Sequence, residues 1–198
     1  MSLTTSPTAN PAVRIVDGEE LPAAGNYALD ASHSQVGFAV RHLMVSKTRG
    51  RFSDFAGTIH IGENPLESSV EVTIQAASVD TRDEQRDGHL RTGDFFDAEA
   101  YPTLSYKSRS VRPAGKDGQY IVDGDLTVKG VTRSVPLELT FEGGATDPWG
   151  GVRIGFSAKA ELDREDFGLT YNQALETGGV LVGKKVSIEI EAEAVQQA

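Results

Sequence analysis

A chain of 198 residues, 38% hydrophobic and 24% charged, fits one globular domain with a substantial core. Its 29 acids against 19 bases leave a formal charge of −10. That excludes a nucleic-acid binder and broad adhesion to anionic membranes, because both need net positive faces. With no cysteine there is no disulfide framework, thiol nucleophile or thiolate metal site.

The first residues, MSLTTSPTAN, lack the cationic and apolar regions of a secretory signal, and no apolar run reaches the roughly 18 residues of a spanning helix. The expectation is a cytoplasmic protein without stable membrane insertion. Residues 1–25 are rich in Pro, Thr, Ser and Ala and have no sustained periodicity, so they read as a flexible N-terminal tail. Its deletion is expected to leave stability nearly unchanged, and the folded domain is 26–198. Should the tail order, Val13, Ile15 and Val16 would add a short strand or pack across a dimer.

From Tyr27 onward the dominant period is two, which places alternate side chains on opposite faces of a strand. Val36, Phe38 and Val40 alternate with Gly37, Ala39 and Arg41, and Val70, Val72 and Ile74 with Glu71, Thr73 and Gln75. The ribbon SQVGFAVRHLMVSKTRGRF (34–52) carries four bases, a histidine and no acid, against the charge of the chain. Across 49–62 the apolar phase slips between Phe52 and Phe55, which predicts a bulge near Ser53–Asp54. Residues 81–97 break the pattern and read as a short helical insertion near 82–97, with Leu90, Phe95 and Phe96 as its apolar anchors.

Further strands fit 103–112 and 118–128, separated by the turn Gly115-Lys116-Asp117-Gly118. Val135, Leu137, Leu139 and Phe141 alternate with polar residues; Pro136 suits an edge or bulge. Phe156, Ala158, Ala160 and Leu162 form the next strand, and Val186, Ile188, Ile190 and Ala192 the last. The fold class is all-β: an extended, closed, eight-stranded antiparallel barrel, which at this strand number can hold one small ligand.

Four blocks in order, HSQVGFAVRHLMVSKTRGRFSDFAGTI (33–59), SVDTRDEQRDGHLRTGDFFDAEAYPTLSYKS (78–108), GDLTVKGVTRSVPLEL (124–139) and DREDFGL (163–169), closely resemble the YceI-like family of polyisoprenoid-binding, lipocalin-like proteins. The resemblance spans Tyr27 to Glu193. It implies a hydrophobic barrel interior that holds an amphiphile with a long apolar chain, a homodimer and no established catalysis. Many such relatives are exported, so a chain without a leader departs from them.

The apolar phase of each strand, with the resemblance, assigns the ligand-facing lining to Phe38, Val40, Phe52, Val72, Ile74, Leu90, Phe95, Phe96, Leu104, Tyr106, Phe156 and Ile188. Arg86 and His89, three apart, share a helical face, and with Arg41 and His42 they form a candidate anion clamp for the ligand's polar end. The competing reading makes His42 a histidine satisfied by backbone, and Arg82, Arg86, His89 and Arg91 a solvated face paired with nearby acids. The four histidines show no zinc spacing, and Asp123-Gly124-Asp125 lacks a calcium loop, so no metal or cofactor is expected beyond a bound polyisoprenoid, quinone or other long-chain lipid. Two alternatives from other classes remain. One is an enzyme acting on the bound lipid through His42, His89 and nearby carboxylates, with Asp87, His89 and Asp94 as a candidate acid-base cluster; the other is an interaction module with a filled barrel.

Overall fold

The computed structural model describes residues 10–43, 45–116, 118–174 and 180–198. Strands β1 (Val13–Val16) and β2 (Glu19–Pro22) form a hairpin in a sheet of their own. There follow β3 (Gly25–Leu29), β4 (Gln35–His42), β5 (Ser46–Phe52) and β6 (Phe55–Ile61). After them come β7 (Ser69–Gln75), β8 (Val79–Asp80), the helix α1 (Glu84–Leu90), the one α-helix among the described residues, and β9 (Thr103–Pro113). β10 (Gln119–Val128), β11 (Val131–Ser134), β12 (Leu137–Thr146), β13 (Val152–Asp163) and β14 (Val182–Gln196) complete the described elements.

Every pairing is antiparallel, and each hairpin neighbour in sequence is a neighbour in space. Strand β14 closes the ring: it pairs with β13 from Arg153↔Val195 to Asp163↔Lys185, and on its other edge with β3 and β4. Paths β3/β4, β5/β6, β7/β8 and β11/β12 each count as one interrupted strand. Counted so, the sheet is a closed barrel of eight antiparallel strands, as the period-two pattern predicts. Closure leaves few free edges to aggregate.

The phase slip at 52–55 is a strand break rather than a bulge. Phe52 pairs with Val36 on β4, whereas Ile59 pairs with Tyr27 on β3, so β5 and β6 answer two registers. Both Phe52 and Phe55 thereby stay buried. Pro136 lies in the corresponding interruption between β11 and β12, where its missing N–H breaks no ladder bond.

Helix α1 is shorter than the 82–97 insertion expected, with Asp83 as its N-cap accepting from the Arg86 backbone N–H at 3.0 Å. Residues beyond it turn back through hydrogen bonds such as Phe96 N–H to the Leu90 carbonyl at 3.0 Å.

The larger departure concerns the segment expected as a flexible tail over 1–25. Residues 1–9 lie outside the described residues, but 10–25 are built onto the barrel. Ala12 is fully buried and Leu21 is 3% exposed. The Glu19 carboxylate accepts from the Gly118 N–H at 2.7 Å and the Tyr120 hydroxyl at 3.0 Å, and Arg14 donates to the Gly62 carbonyl at 2.6 Å. The partners sit more than thirty residues away in sequence, so no local pattern announces them.

Tyr106 shows how tightly part of the barrel is packed. Its hydroxyl donates to the carbonyls of Val122 at 2.9 Å and Val135 at 3.1 Å, and burial raises its pKa. The ring crosses Gly124, where an added β-carbon would lie 2.4 Å from Cζ and Oη. Gly124→Ala must therefore expel the ring. Its expected cost is about 1–3 kcal/mol, read as a lower urea midpoint at unchanged slope.

Candidate functional site

Side chains that alternation turns inward normally reach full burial in a packed barrel. Here Val36, Phe38 and Val40 on β4, Val70 and Val72 on β7, and Val186, Ile188 and Ile190 on β14 are only half-buried. They face a continuous cavity of about 710 Å³ that runs through the barrel.

The residues assigned to the lining all stand in its wall. Phe38 and Val40 come from β4, Phe52 from β5, and Val72 and Ile74 from β7. Leu90, Phe95 and Phe96 belong to α1 and the turn after it, Leu104 and Tyr106 to β9, Phe156 to β13 and Ile188 to β14. Tyr106 contributes ring surface only, because its hydroxyl is held by backbone. Phe38, Phe52 and Phe96 stack in series, with ring centroids 5.7 and 5.5 Å apart.

At one end the β1–β2 hairpin contributes to the wall, through buried Leu21 and Pro22 and through Arg14. At the other end Arg41, His42, Arg86 and His89 line the cavity, and His89 and Arg86 keep 41% and 42% of their side-chain surface exposed. This end is the mouth. A chain of contacts unites it: His89 stacks edge-on to Tyr171 at 4.8 Å, Asn172 donates to the Val182 carbonyl at 2.8 Å, and Val182 pairs with His42.

The four candidate clamp residues meet at the mouth but differ in freedom. Arg86 is committed: Nε donates to Thr81 Oγ1 at 2.7 Å and Nη2 to the Thr81 carbonyl at 2.9 Å. His89 Nε2 pairs with Asp94 at 2.8 Å. Arg41 has no ion-pair partner among the described residues. Asp87 is no member of a solvated face, since it is 7% exposed and accepts from the Thr81 N–H at 2.8 Å and hydroxyl at 2.5 Å. Asp87 and His89 thus belong to separate pairs.

Arg164 was not singled out by sequence reasoning. It is 4% exposed and lines the cavity, and it donates to the carbonyls of Gly183 at 2.9 Å and of Leu169. Burial lowers its pKa, with Glu165 and Asp163 opposing, yet arginine stays charged. Its flanking acids, in DREDF, make it look like a surface residue. Only the 3₁₀ turn Arg164–Phe167 swings it inward.

A second cluster, Asp30, His33 and Glu193, brings three potential metal ligands within 4.8 Å. The Arg153 guanidinium occupies that cluster, 2.8 Å from Asp30 and 2.5 Å from Glu193, and it also meets Asp147 at 2.7 Å. Bonds from Ser32, then Arg153 and His33, hold the Asp30 carboxyl far below the usual range; Arg153 and the Gly151 N–H lower Asp147. For depressed carboxyls the stabilisation is complete above about pH 4 and is lost as pH falls below it. Arg153→Met is expected to melt below the parent at neutral pH, the gap narrowing on acidification.

An all-antiparallel barrel of eight strands with a cavity inside it belongs to the class of small-ligand-holding β-barrels. More particularly, the chain belongs to the YceI-like family, whose domain model matches residues 27–194. It is 36% identical over 170 residues to UPF0312 protein SA2479 of Staphylococcus aureus, covering 85% of this chain and 96% of that one. It is 43% identical to UPF0312 protein plu2095 of Photorhabdus laumondii, over 73% of this chain and 76% of that one. Among solved structures, the Campylobacter jejuni YCEI protein superposes with a TM-score of 0.68 at 29% identity, covering 80% and 90% of the two chains. A polyisoprenoid binding domain from Saccharophagus degradans shares the fold, with a TM-score of 0.63 at 17% identity over 86% and 98%.

Proposed function

We propose that this protein binds one long-chain amphiphile, a polyisoprenoid, an isoprenoid quinone or a similar lipid, and carries, stores or sequesters it. The observation that carries this reading is the cavity itself: about 710 Å³, walled by aliphatic and aromatic side chains, with the β1–β2 hairpin at one end and polar side chains at the mouth. Its size is that of a site for one ligand. Each methylene moved from water into it contributes about 0.8 kcal/mol, of which part offsets the ordering of the chain. The polar mouth suits a headgroup that stays near water, with Arg41 and His42 better placed than Arg86 to meet it. The Saccharophagus degradans neighbour, described as polyisoprenoid-binding, supports the same ligand class by likeness of fold. The test is native mass spectrometry of protein purified without detergent, followed by solvent extraction and identification of the extract. A stoichiometric lipid supports the reading. A ligand-free mass that takes up no added isoprenoid overturns it.

A further inference from the structure

The β4–β5 hairpin ends beside the cavity mouth and carries exposed apolar side chains at its tip. Val45 is 80% exposed and Leu43 is 38% exposed. The Leu43 N–H donates to the Leu181 carbonyl at 2.9 Å, and Val180, the residue before Leu181, is 36% exposed. Such neighbouring apolar side chains stand out on a surface where single ones are ordinary.

The flanks of the tip are cationic in a chain of charge −10. No acid occurs between Asp30 and Asp54, whereas Arg41, Lys47, Arg49 and Arg51 all do. Arg41 and Lys47 are direct cross-strand partners, an arrangement of like charges that costs stability. Arg41, Lys47 and Arg49 have no ion-pair partner among the described residues. Acids near the tip are paired: Asp80 with Arg51 of the same hairpin, Asp83 with Arg86, Asp94 with His89 and Glu165 with Lys184. Glu189 and Glu191 of β14 lie opposite Gly37 and Gln35, at the end of β4 away from the tip. The field at the tip is therefore positive. Because salt screens charges beyond roughly 8 Å, an approaching surface meets the tip and not the acidic remainder.

We propose that the tip of this hairpin docks the barrel on an anionic lipid bilayer, with Leu43 and Val45 entering the headgroup layer and Lys47 and Arg49 meeting lipid phosphates. Apolar insertion combined with basic flanks is the physical basis of such peripheral binding. Docked so, the mouth lined by Arg41, His42 and Thr48 faces the membrane, and a lipid passes between bilayer and cavity without crossing water. The exchange step rests on the lipid-binding reading; the docking step does not.

The experiment is co-sedimentation of the full chain with vesicles of phosphatidylcholine alone and of phosphatidylcholine mixed equally with phosphatidylglycerol. The parent is expected to partition onto the mixed vesicles only, and less as salt rises. Lys47→Ala/Arg49→Ala should lower that partition about 30-fold, from two bases near the surface, and Val45→Asp should lower it by at least as much. None of these three residues lines the cavity, so native mass spectra of both variants should keep the parent's lipid occupancy. Equal partition onto both vesicle types, or variants that partition as the parent does, would overturn the proposal. So would a Val45→Asp variant that dissociates a dimer in sedimentation velocity while still binding vesicles, since the tip would then contact a second copy of the chain. Vesicle binding that responds as expected in a protein that is purified without lipid and takes up no added isoprenoid supports docking and sinks the lipid-binding reading alone.

Discussion

Phe38→Asp is expected to abolish retention of a long-chain lipid, lowering affinity by two orders of magnitude or more. Phe38 stands midway along β4, half-buried against the cavity, and its ring lies across Gly50, where an added β-carbon would approach Cζ to 2.4 Å. Truncation removes the first member of the Phe38, Phe52 and Phe96 series. The new carboxylate sits in a wall where the adjacent inward residues, Val36 and Val40, offer it no donor, and an unpaired charge is costly there. Since the same change also strains the fold, Val72→Trp is the companion variant. It adds indole volume to the cavity from a half-buried position without adding charge, so occupancy should fall while the melting temperature holds. Native mass spectrometry reads occupancy and calorimetry reads stability. A Val72→Trp protein that still carries its lipid would show that the cavity is not the binding site.

Truncation at Asn26 is expected to destabilise the protein by roughly 3–5 kcal/mol. Burial of Leu21 contributes about 2 kcal/mol, and the hydrogen bonds to the Glu19 carboxylate and from Arg14 each contribute about 1–1.5 kcal/mol, less the entropy of ordering the segment. For a chain of this size that corresponds to a melting temperature lower by roughly 10 °C. The truncation also removes Arg14, Leu21 and Pro22 from the cavity wall, so lipid retention should fall with it. A truncated protein with the parent's melting temperature and occupancy would return residues 10–25 to the status of an accessory tail.

The strands were legible because each inward face repeats every second residue. Val36-Phe38-Val40, Val135-Leu137-Leu139-Phe141 and Val186-Ile188-Ile190 each carry that signal alone, and together they number the strands of the barrel. The same alternation placed Phe38, Val72 and Ile188 on the cavity side, because only two faces exist. Alternation is silent on whether an inward face meets another side chain or open space. The registers around the ring decided that, leaving β4, β7 and β14 facing a cavity while Tyr106 packs across Gly124.

Residues whose partners are distant in sequence were beyond reach for a related reason. Ala12, Leu21 and Glu19 look like loop residues until Gly144, Tyr120 and Gly118 are brought beside them. Arg164, inside an acidic run, looks solvated until the turn after β13 folds it onto backbone carbonyls. Arg86 read as either a headgroup clamp or a partner of nearby acids, and the structure commits it to Thr81 and Asp83. The sequence by itself determined the number of strands, which face of each turns inward, and the acid-free character of the β4–β5 hairpin, since these depend on neighbours one or two residues apart. Only the tertiary structure decided where the β1–β2 hairpin meets the barrel, that the interior is hollow, and which cations at the mouth have no ion-pair partner among the described residues, because each of these depends on closure of the ring by β14.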